Sequence, residues 1–297
     1  MAFDFDHARN PFLKPSGGRI GVRDSALHYH DGVLRCFFTA SYWNGETFRS
    51  QIQSVQTTDL VTWTQPTPIF TNPPTFWSVG NVLFVDGCWV MCMQSYPIEP
   101  FHSYAGEESR LWISRSPDLS RWQTPVSMNP QGARLRWTDS RRQIDPFFIR
   151  HLDQYWCFYK CSGSLSALVS TDLSAWREAS PDRPLLSRND TPDNVNVENP
   201  CILRHGDEFV LFFSACRDPH AIGTARSTDL LHWRDVRYLE FPSRPWMPQG
   251  PNGAMTIDLR AECGKWLMVL HADWSLMPHS GFLALAWSED LEHWTCP

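Results

Sequence analysis

The sequence predicts an all-β protein, a five-bladed β-propeller whose blades are four-stranded antiparallel sheets. Two observations support this fold class. One short motif recurs five times along the 297 residues, at nearly constant spacing. Each copy follows a group of strand-like segments joined by tight-turn residues. Repeats of this period that each supply one small sheet are typical of propellers.

The repeated motif is Asp-Leu-x-x-Trp, preceded two residues earlier by Ser or Thr. Ser or Thr followed by Asp favours a tight turn, because these short side chains bond to their own backbone. The Leu and the Trp are then expected to pack into the apolar layer beside the turn. We therefore interpret the motif as structural and use it to count five units. Its aspartates are Asp59, Asp118, Asp172, Asp229 and Asp290.

Within each unit, apolar strand-like runs alternate with turn residues of the Asp-Gly kind, a strong hairpin signal. The predicted strands are 23–29, 33–40 and 48–56 in unit one; 81–85, 88–93 and 110–115 in unit two; 144–149 and 155–160 in unit three; 197–203 and 208–214 in unit four; and 253–259, 265–272 and 281–288 in unit five. A less regular fourth run follows the Trp. No segment has a convincing amphipathic helical pattern.

These units place one domain over residues 1–297, with blades at about 19–70, 76–130, 140–187, 195–241 and 250–297. The fifth unit ends just after its third strand. Phe3 and Phe5 alternate with aspartates, which predicts a short strand, and the run 10–13 follows. We expect this N-terminal segment to cover the open edge of blade five, since unpaired strand edges invite association.

Composition excludes several classes of function. The formal charge is −6 and no basic run occurs, so nucleic acid is not an expected partner. No apolar run approaches the roughly 20 residues that span a membrane. The start lacks the basic and apolar regions of a signal peptide. The nine cysteines contain no CxxC pair, which predicts reduced thiols and a cytoplasmic location.

Candidate catalytic residues stand at the starts of the first strands, which line the central channel. The corresponding positions are Asp24, Asn81, Asp145, Glu198 and Asn252, of which three are carboxylates. Asp and Asn are common at strand starts, so a single carboxylate would suggest only a turn residue. Three that converge on one pocket instead indicate a catalytic site, because crowding shifts their pKa values apart.

The sequence Asp24, Ile144-Asp145-Pro146 and Glu198-Asn199-Pro200 resembles glycoside hydrolase family 43 and, more broadly, the propellers of families 32, 62, 68 and 117. By this resemblance Asp24 is the general base, Glu198 the general acid, and Asp145 the residue that orients the acid and raises its pKa. In an inverting enzyme the carboxyls of base and acid lie roughly 6.5–9.5 Å apart; in a retaining one they are about 5–5.5 Å apart.

Other residues are assigned more broadly to substrate binding. The segment 77–81 loosely resembles a Trp-Ala-Pro segment that borders the sugar pocket in the family, and His271 matches a common family histidine. Aromatic rings near the mouth could stack on sugars, and polar neighbours of the carboxylates could bond to hydroxyls. The substrate-binding candidates are Trp43, Trp77, Asn81, Arg142, Asn199, Arg217, Trp246, Asn252 and His271.

Two departures from the family pattern concern Asp24 and the metal. Ser25 follows Asp24 where the family usually has Pro. Residues 250–254 read Gly-Pro-Asn-Gly-Ala, where members often have a Gly-His that reaches a central calcium or water. We therefore predict no metal ligands and no required cofactor, and the central structural calcium of the family is in doubt.

The resemblance implies hydrolysis of terminal furanosyl or xylosyl residues from short oligosaccharides. An inverting, exo-acting α-L-arabinofuranosidase or β-xylosidase is the first expectation. A retaining fructan-type β-fructofuranosidase or transglycosidase is the second, disfavoured because its Asn-Asp-Pro-Asn and Glu-Cys signatures are absent. A non-catalytic sugar-binding propeller is the alternative of another class.

Overall fold

The computed structural model describes residues 3–17, 19–43, 48–70, 76–95, 106–272 and 281–297, apart from the side chains of Phe48 and Trp77. It is a five-bladed β-propeller, which confirms the predicted fold class. The first strands of successive blades contact one another around a closed ring, and the first strand of blade five contacts that of blade one. In the described part of the chain, no helix is long and apolar enough to span a membrane.

The strands follow the chain in order, and each blade is a simple antiparallel meander. Blade one comprises β1 (Arg19–His30), β2 (Val33–Trp43), β3 (Phe48–Thr57) and β4 (Thr67–Pro68). Blade two comprises β5 (Phe76–Val85), β6 (Cys88–Ser95), β7 (Leu111–Ser116) and β8 (Val126–Ser127). Blade three comprises β9 (Ile144–His151), β10 (Gln154–Cys161), β11 (Ser164–Ser170) and β12 (Arg177–Glu178).

The last two blades complete the ring. Blade four comprises β13 (Val197–His205), β14 (Glu208–Ala215), β15 (Ala221–Ser227) and β16 (Arg234–Tyr238). Blade five has only three strands of its own, β17 (Asn252–Leu259), β18 (Lys265–Ala272) and β19 (Phe282–Ser288). The described helices are one 3-10 turn, Arg188–Asp190, and one α-helical turn, α1 (Arg260–Cys263). The turn expected at Cys263-Gly264 is thus the end of α1.

The Asp-Leu-x-x-Trp motif forms the same tight turn after the third strand of every blade. In blade one, the Thr57 hydroxyl accepts from the N–H groups of Asp59 and Leu60, and Asp59 Oδ1 accepts from the next two N–H groups. The Leu of each copy is buried and has a φ between 61° and 69°. The hydrogen bonds of the turn outweigh the cost of this left-handed backbone.

The motif tryptophans join neighbouring blades. Trp122, Trp233 and Trp294 each meet, edge to face, a Phe in the second strand of the preceding blade, with ring centroids 5.9–6.1 Å apart. Aromatic pairs of this geometry contribute about 0.5–1.5 kcal/mol beyond the burial of their surface. The motif that occurs once in each blade therefore also packs neighbouring blades against each other.

The N-terminal segment occupies the fourth-strand position of blade five. Leu13 forms an antiparallel bridge with Leu283 of β19, and the Asn10 side chain exchanges two hydrogen bonds with the main chain of Leu285. Phe12 stacks on Trp63, the motif tryptophan of blade one, at 4.2 Å between ring centroids. The segment therefore links the last blade to the first.

The strand expected at Phe3 and Phe5 does not form. Residues 5–7 are a turn, in which the Ala8 N–H donates to the Asp4 carbonyl. The two rings instead pack against Tyr29 and Trp287, at 5.8 and 5.0 Å between centroids. The alternation of Phe and Asp reflects a turn with two half-buried rings, because a short segment can pack alternate side chains without strand pairing.

Candidate active site

Every first strand carries a bulge near its start, with one residue in the left-handed region. These residues are Asp24, Ser78, Asp145, Asn199 and Gly253, with φ between 41° and 58°. The strand pairing shifts register at each of these places. Asp, Asn and Gly tolerate this conformation better than other residues do. The bulges turn five equivalent positions towards the channel axis at one face.

This ring corrects the correspondence read from the sequence. The equivalent positions in blades two, four and five are Ser78, Asn199 and Gly253, not Asn81, Glu198 and Asn252. Together with the residues that follow them, the five ring residues line an axial cavity of about 20 Å³. A cavity of this size holds about one water molecule. A ligand larger than a water molecule has room only above the ring, at the mouth of the channel.

Asn81 and Asn252 are committed to the backbone rather than to a substrate. The Asn81 amide donates to the Phe148 carbonyl at 2.7 Å and accepts from the Phe148 N–H at 2.6 Å, which ties β5 to β9. Asn252 is 2% exposed, and its Oδ1 accepts from the Gly253 N–H. Their assignment to substrate binding is not supported, because these bonds and this burial leave little of either amide to reach a sugar.

Asp24 lies against a buried histidine of blade five. Its N–H donates to His271 Nδ1 at 3.3 Å, and its carboxylate lies 3.8 Å from the same nitrogen. His271 is fully buried, and Arg23 lies 3.4 Å from its Nε2. Burial and the positive charge of Arg23 hold the pKa of His271 well below its ordinary value, so the ring is neutral. His271 of blade five therefore accepts a hydrogen bond from the main chain of Asp24 and packs against its carboxylate.

Asp145 of blade three is held by hydrogen bonds with two strands of blade two. The Asp145 N–H donates to Gln94 Oε1 at 2.6 Å, and the Asp145 carboxylate accepts from the Ser78 hydroxyl at 3.2 Å. The Arg142 guanidinium acts electrostatically on the same carboxylate. Arg142 thus acts on Asp145, whereas its predicted role in substrate binding stays a prediction.

Glu198 lies one residue before the bulge of blade four and contacts Lys160. The Lys160 ammonium donates to Glu198 Oε2 from β10 of the neighbouring blade. The two side chains are 14% and 20% exposed. The Cys216 thiol also contacts Glu198. Glu198 is therefore an ion-paired carboxylate in the free protein.

The charges of this cluster decide the protonation of its carboxyls. Burial disfavours the ionised form of Glu198, but Lys160, aided by Arg23 and His220, outweighs burial and holds the pKa of Glu198 below its ordinary value. Burial raises the pKa of Asp145, and the charge of Glu198 adds to this rise. The two carboxylates likewise outweigh burial at Lys160 and raise its pKa to about 12.

This result corrects the expected order of protonation. Asp145 was expected to keep Glu198 protonated through like-charge repulsion. In the free protein Lys160 outweighs this repulsion at Glu198 and stabilises its charge, so Asp145 is the carboxyl with the raised pKa. Glu198 can serve as an acid only from a state in which it has gained a proton.

The remaining candidates occupy different places on this face. Asn199 is a ring residue whose amide donates to Ser214. Arg217 pairs with Asp193 and lies over the Tyr238 ring. Trp43 ends β2 and is 42% exposed. Trp246 is half buried and packs against the core, and its role in stacking on a sugar stays a prediction. The Trp77 side chain lies outside the described residues.

A pocket of about 460 Å³ opens on the same face between blades four and five. Arg217 and His220 lie on one side of it, and Phe241, Met247 and several prolines form the rest. His220 also acts electrostatically on Glu198 and His271. The volume is within the range of small-molecule sites. His220 therefore links the wall of this pocket electrostatically to the carboxylate cluster.

The donors around the axis do not form a metal centre. Within the described ranges, no group of three or more His, Cys, Asp or Glu side chains is arranged to hold a metal ion. Two of the five ring positions are carboxylates, and His271 is engaged with Asp24 and Arg23. The central calcium of the resembled family does not fit this donor set, so no step below depends on a metal.

The sequence reasoning missed Lys160 and Ser78. In the sequence, Lys160 is the charged residue at the end of an otherwise apolar strand, and Ser78 is one of several small residues. Neither pattern indicates a role in the site. The one available signal was a Lys next to a tight Ser-Gly turn at the end of β10. Neither residue follows from the repeat, because both act across blade boundaries.

No family model and no curated protein matches this chain. Several solved structures share its fold. An exo-1,5-α-L-arabinanase from a bovine ruminal metagenomic library has a TM-score of 0.68 at 15% identity, over 96% of this chain and 99% of that one. An α-L-arabinanase from Cellvibrio cellulosa has a TM-score of 0.68 at 17% identity, over 94% and 96%. A glycosyl hydrolase from Bacteroides ovatus has a TM-score of 0.73 at 13% identity, over 98% and 94%.

At these identities the comparisons show the fold. They agree with the five-bladed β-propeller fold that the sequence predicts. The Cellvibrio cellulosa α-L-arabinanase is also represented by a complex with arabinohexaose, at 17% identity to this chain. The three carboxylates of the present chain stand on three blades of this same architecture.

Proposed function

We propose that this protein is a glycoside hydrolase that removes terminal furanosyl or xylosyl residues from short oligosaccharides. The most specific form of the proposal is an inverting, exo-acting α-L-arabinofuranosidase or β-xylosidase. The observation that carries it is the convergence of Asp24, Asp145 and Glu198, from three blades, at one mouth of the channel. The likeness to α-L-arabinanase folds supports the substrate class.

The roles follow from the contacts of each carboxylate. Asp24 takes the proton of a water molecule whose oxygen attacks the anomeric carbon. Glu198 gives its proton to the glycosidic oxygen as the bond between that oxygen and the anomeric carbon breaks. Asp145, fixed by Ser78 and Gln94, sets the proton balance of Glu198 through charge. Asp24 then releases its proton and Glu198 regains one from solvent.

The surroundings suit a short, neutral ligand. The axial cavity between the ring residues has a volume of only about 20 Å³, which is too small for a sugar. This favours a pocket at the mouth that admits one end of an oligosaccharide. The 460 Å³ pocket beside His220 lies where the rest of an oligosaccharide can extend. No cofactor is needed for this chemistry. The nine free thiols support a reducing, cytoplasmic compartment as part of the proposal.

A panel of nitrophenyl furanosides and pyranosides tests the activity, together with natural arabino- and xylo-oligosaccharides. We expect Asp24→Asn to lose at least about 10²–10⁴-fold on every substrate, since no other group activates the water. Glu198→Gln should lose similarly on natural substrates but much less on aryl glycosides that leave without protonation. Near-normal turnover of a natural substrate by either variant contradicts the proposal.

The stereochemical outcome distinguishes the two hydrolytic mechanisms. Proton NMR of the first sugar released shows whether the anomeric configuration is inverted or retained. Inversion is expected. Retention, with a trapped covalent intermediate on Asp24, would replace the inverting mechanism by the retaining, fructan-type one. Release of mixed oligomers from a polymer would contradict exo action.

One observation favours a sugar-binding propeller as the second candidate. Glu198 is ion-paired with Lys160, and an ionised carboxylate accepts hydrogen bonds from sugar hydroxyls without donating a proton. Isothermal titration of the same oligosaccharides decides between the two. Binding with no hydrolysis across the panel and across pH 4–9 supports the second candidate.

A further inference from the structure

The contact between Lys160 and Glu198 joins two blades at the centre of the site. Lys160 is the penultimate residue of β10, directly before the tight turn at Ser162 and Gly163. Its ammonium crosses to Glu198, which stands on the first strand of blade four. Both side chains are mostly buried. The ion pair therefore lies within the site and is largely shielded from solvent.

Stability alone does not account for this ion pair. Two charges withdrawn from water pay a desolvation cost that can exceed their mutual attraction, so a buried pair is weak evidence of stabilisation. Replacing a buried ion pair by apolar residues of similar volume is often neutral or stabilising. The pair is better explained by what it does to Glu198.

Besides Lys160, four groups act on Glu198 from the elements around it. Arg23 comes from β1 and His220 from the connection between β14 and β15. The Cys216 thiol touches Glu198 from the same connection. Asp145 acts from β9 and is itself close to Arg142. The Lys160 ammonium donates a hydrogen bond to Glu198 and carries a positive charge.

We propose that Lys160 is a positioning residue of this site, which anchors Glu198 in the free protein and sets the upper pH limit of activity. The inference rests on the proposed function for its second part. Lys160 fixes the carboxylate of Glu198 at the edge of blade four, next to the ring. It also decides how readily that carboxylate gains the proton that the leaving oxygen must receive.

The direction of the effect follows from charge. A cation beside a carboxyl favours the ionised form and lowers its pKa. Removing Lys160 should therefore raise the pKa of Glu198, because burial and the charge of Asp145 both favour the protonated form and the lysine no longer opposes them. Glu198 then stays protonated up to a higher pH. An acid catalyst that keeps its proton longer extends activity to higher pH.

The kinetic test compares the pH dependence of kcat/KM for four proteins. They are the wild type, Lys160→Met, Lys160→Arg, and the control Lys265→Met, which removes the lysine of a Lys–Glu pair at the start of β18. We expect the falling limb at high pH to move upward by about 1–3 pH units in Lys160→Met, and not in Lys160→Arg or the control. An unmoved limb in Lys160→Met, with activity retained, overturns the proposal.

A second measurement does not depend on activity. Carbon-13 NMR of protein labelled at the Glu side-chain carboxyl follows the titration of Glu198, with Glu198→Gln to assign the resonance. We expect a midpoint below the ordinary value for Glu in the wild type and a higher midpoint in Lys160→Met. A wild-type midpoint above the ordinary value overturns the role of Lys160, even where Lys160→Met does not fold.

The two measurements separate the two proposals. If no glycoside in the panel is hydrolysed, but the Glu198 midpoint is low and rises in Lys160→Met, the proposed function fails and the anchoring by Lys160 stands. If hydrolysis is found and depends on Glu198, but neither the limb nor the midpoint responds to Lys160, the function stands and this inference fails.

Discussion

Replacing Asn10 by Ala should weaken the closure of the ring without touching the carboxylates. The Asn10 amide donates to the Leu285 carbonyl at 2.7 Å and accepts from the Leu285 N–H at 2.8 Å. Leu285 is 1% exposed, so alanine leaves two main-chain groups of β19 without these partners. Since an unsatisfied buried group costs about 1–3 kcal/mol and Asn10 is half buried, we expect a loss of about 2–3 kcal/mol in the free energy of unfolding.

Urea unfolding and calorimetry measure this loss. With an unfolding entropy of about 2.1 cal/mol/K per residue, a chain of this length loses about 4 °C of Tm for such a change. Asn189→Ala is the matched control, because that side chain is exposed in a short 3-10 turn. A loss in Asn10→Ala no larger than in Asn189→Ala would refute the closure by the N-terminal segment.

Three further outcomes are expected. Asp145→Asn should move the falling limb of the kcat/KM profile to lower pH, because it removes the charge that favours a proton on Glu198; an upward shift contradicts this. Gly253→Ala should lower activity and Tm, because the added Cβ would lie 2.3 Å from His271 Nδ1 and the backbone is left-handed. The control Gly87→Ala has a left-handed backbone but open space around the Cβ, so it should lose only about 1 kcal/mol of stability for the backbone conformation. Asp172→Asn should lower Tm near pH 6 and approach the wild type in acid. Hydrogen bonds from Ala175 and Ser174 hold the pKa of Asp172 below its ordinary value, so its contribution is present above about pH 4 and is lost as pH falls through the folded-state pKa. A Tm difference that stays constant from pH 6 to acid would contradict the last of these.

The repeat could be read from the sequence because its physics is local. Each copy of Asp-Leu-x-x-Trp closes a turn with hydrogen bonds among residues two or three apart. Such a turn forms in the same way wherever the residues recur. The number of blades and the hairpins at Asp31-Gly32 and Asp86-Gly87 follow from patterns of this range.

The ring of bulges could be read only in part. Asp24 and Asp145 were placed correctly among the five equivalent positions, but Asn81, Glu198 and Asn252 were displaced from theirs by one or three residues. A bulge adds one residue to a strand, so the position that faces the axis cannot be counted from a regular alternation. The left-handed backbone that marks each bulge becomes visible only in three dimensions.

The sequence by itself determined the five-bladed architecture and the carboxylates that stand near the channel, because turns, alternation and residue types act over a few neighbours. Only the tertiary structure decided which charge meets which. Lys160 reaches Glu198 across a blade boundary, His271 of blade five lies behind Asp24 of blade one, and Phe12 stacks on Trp63 to close the ring. Protonation depends on such contacts, since a carboxyl responds to charges within a few ångströms in space, however distant they are along the chain.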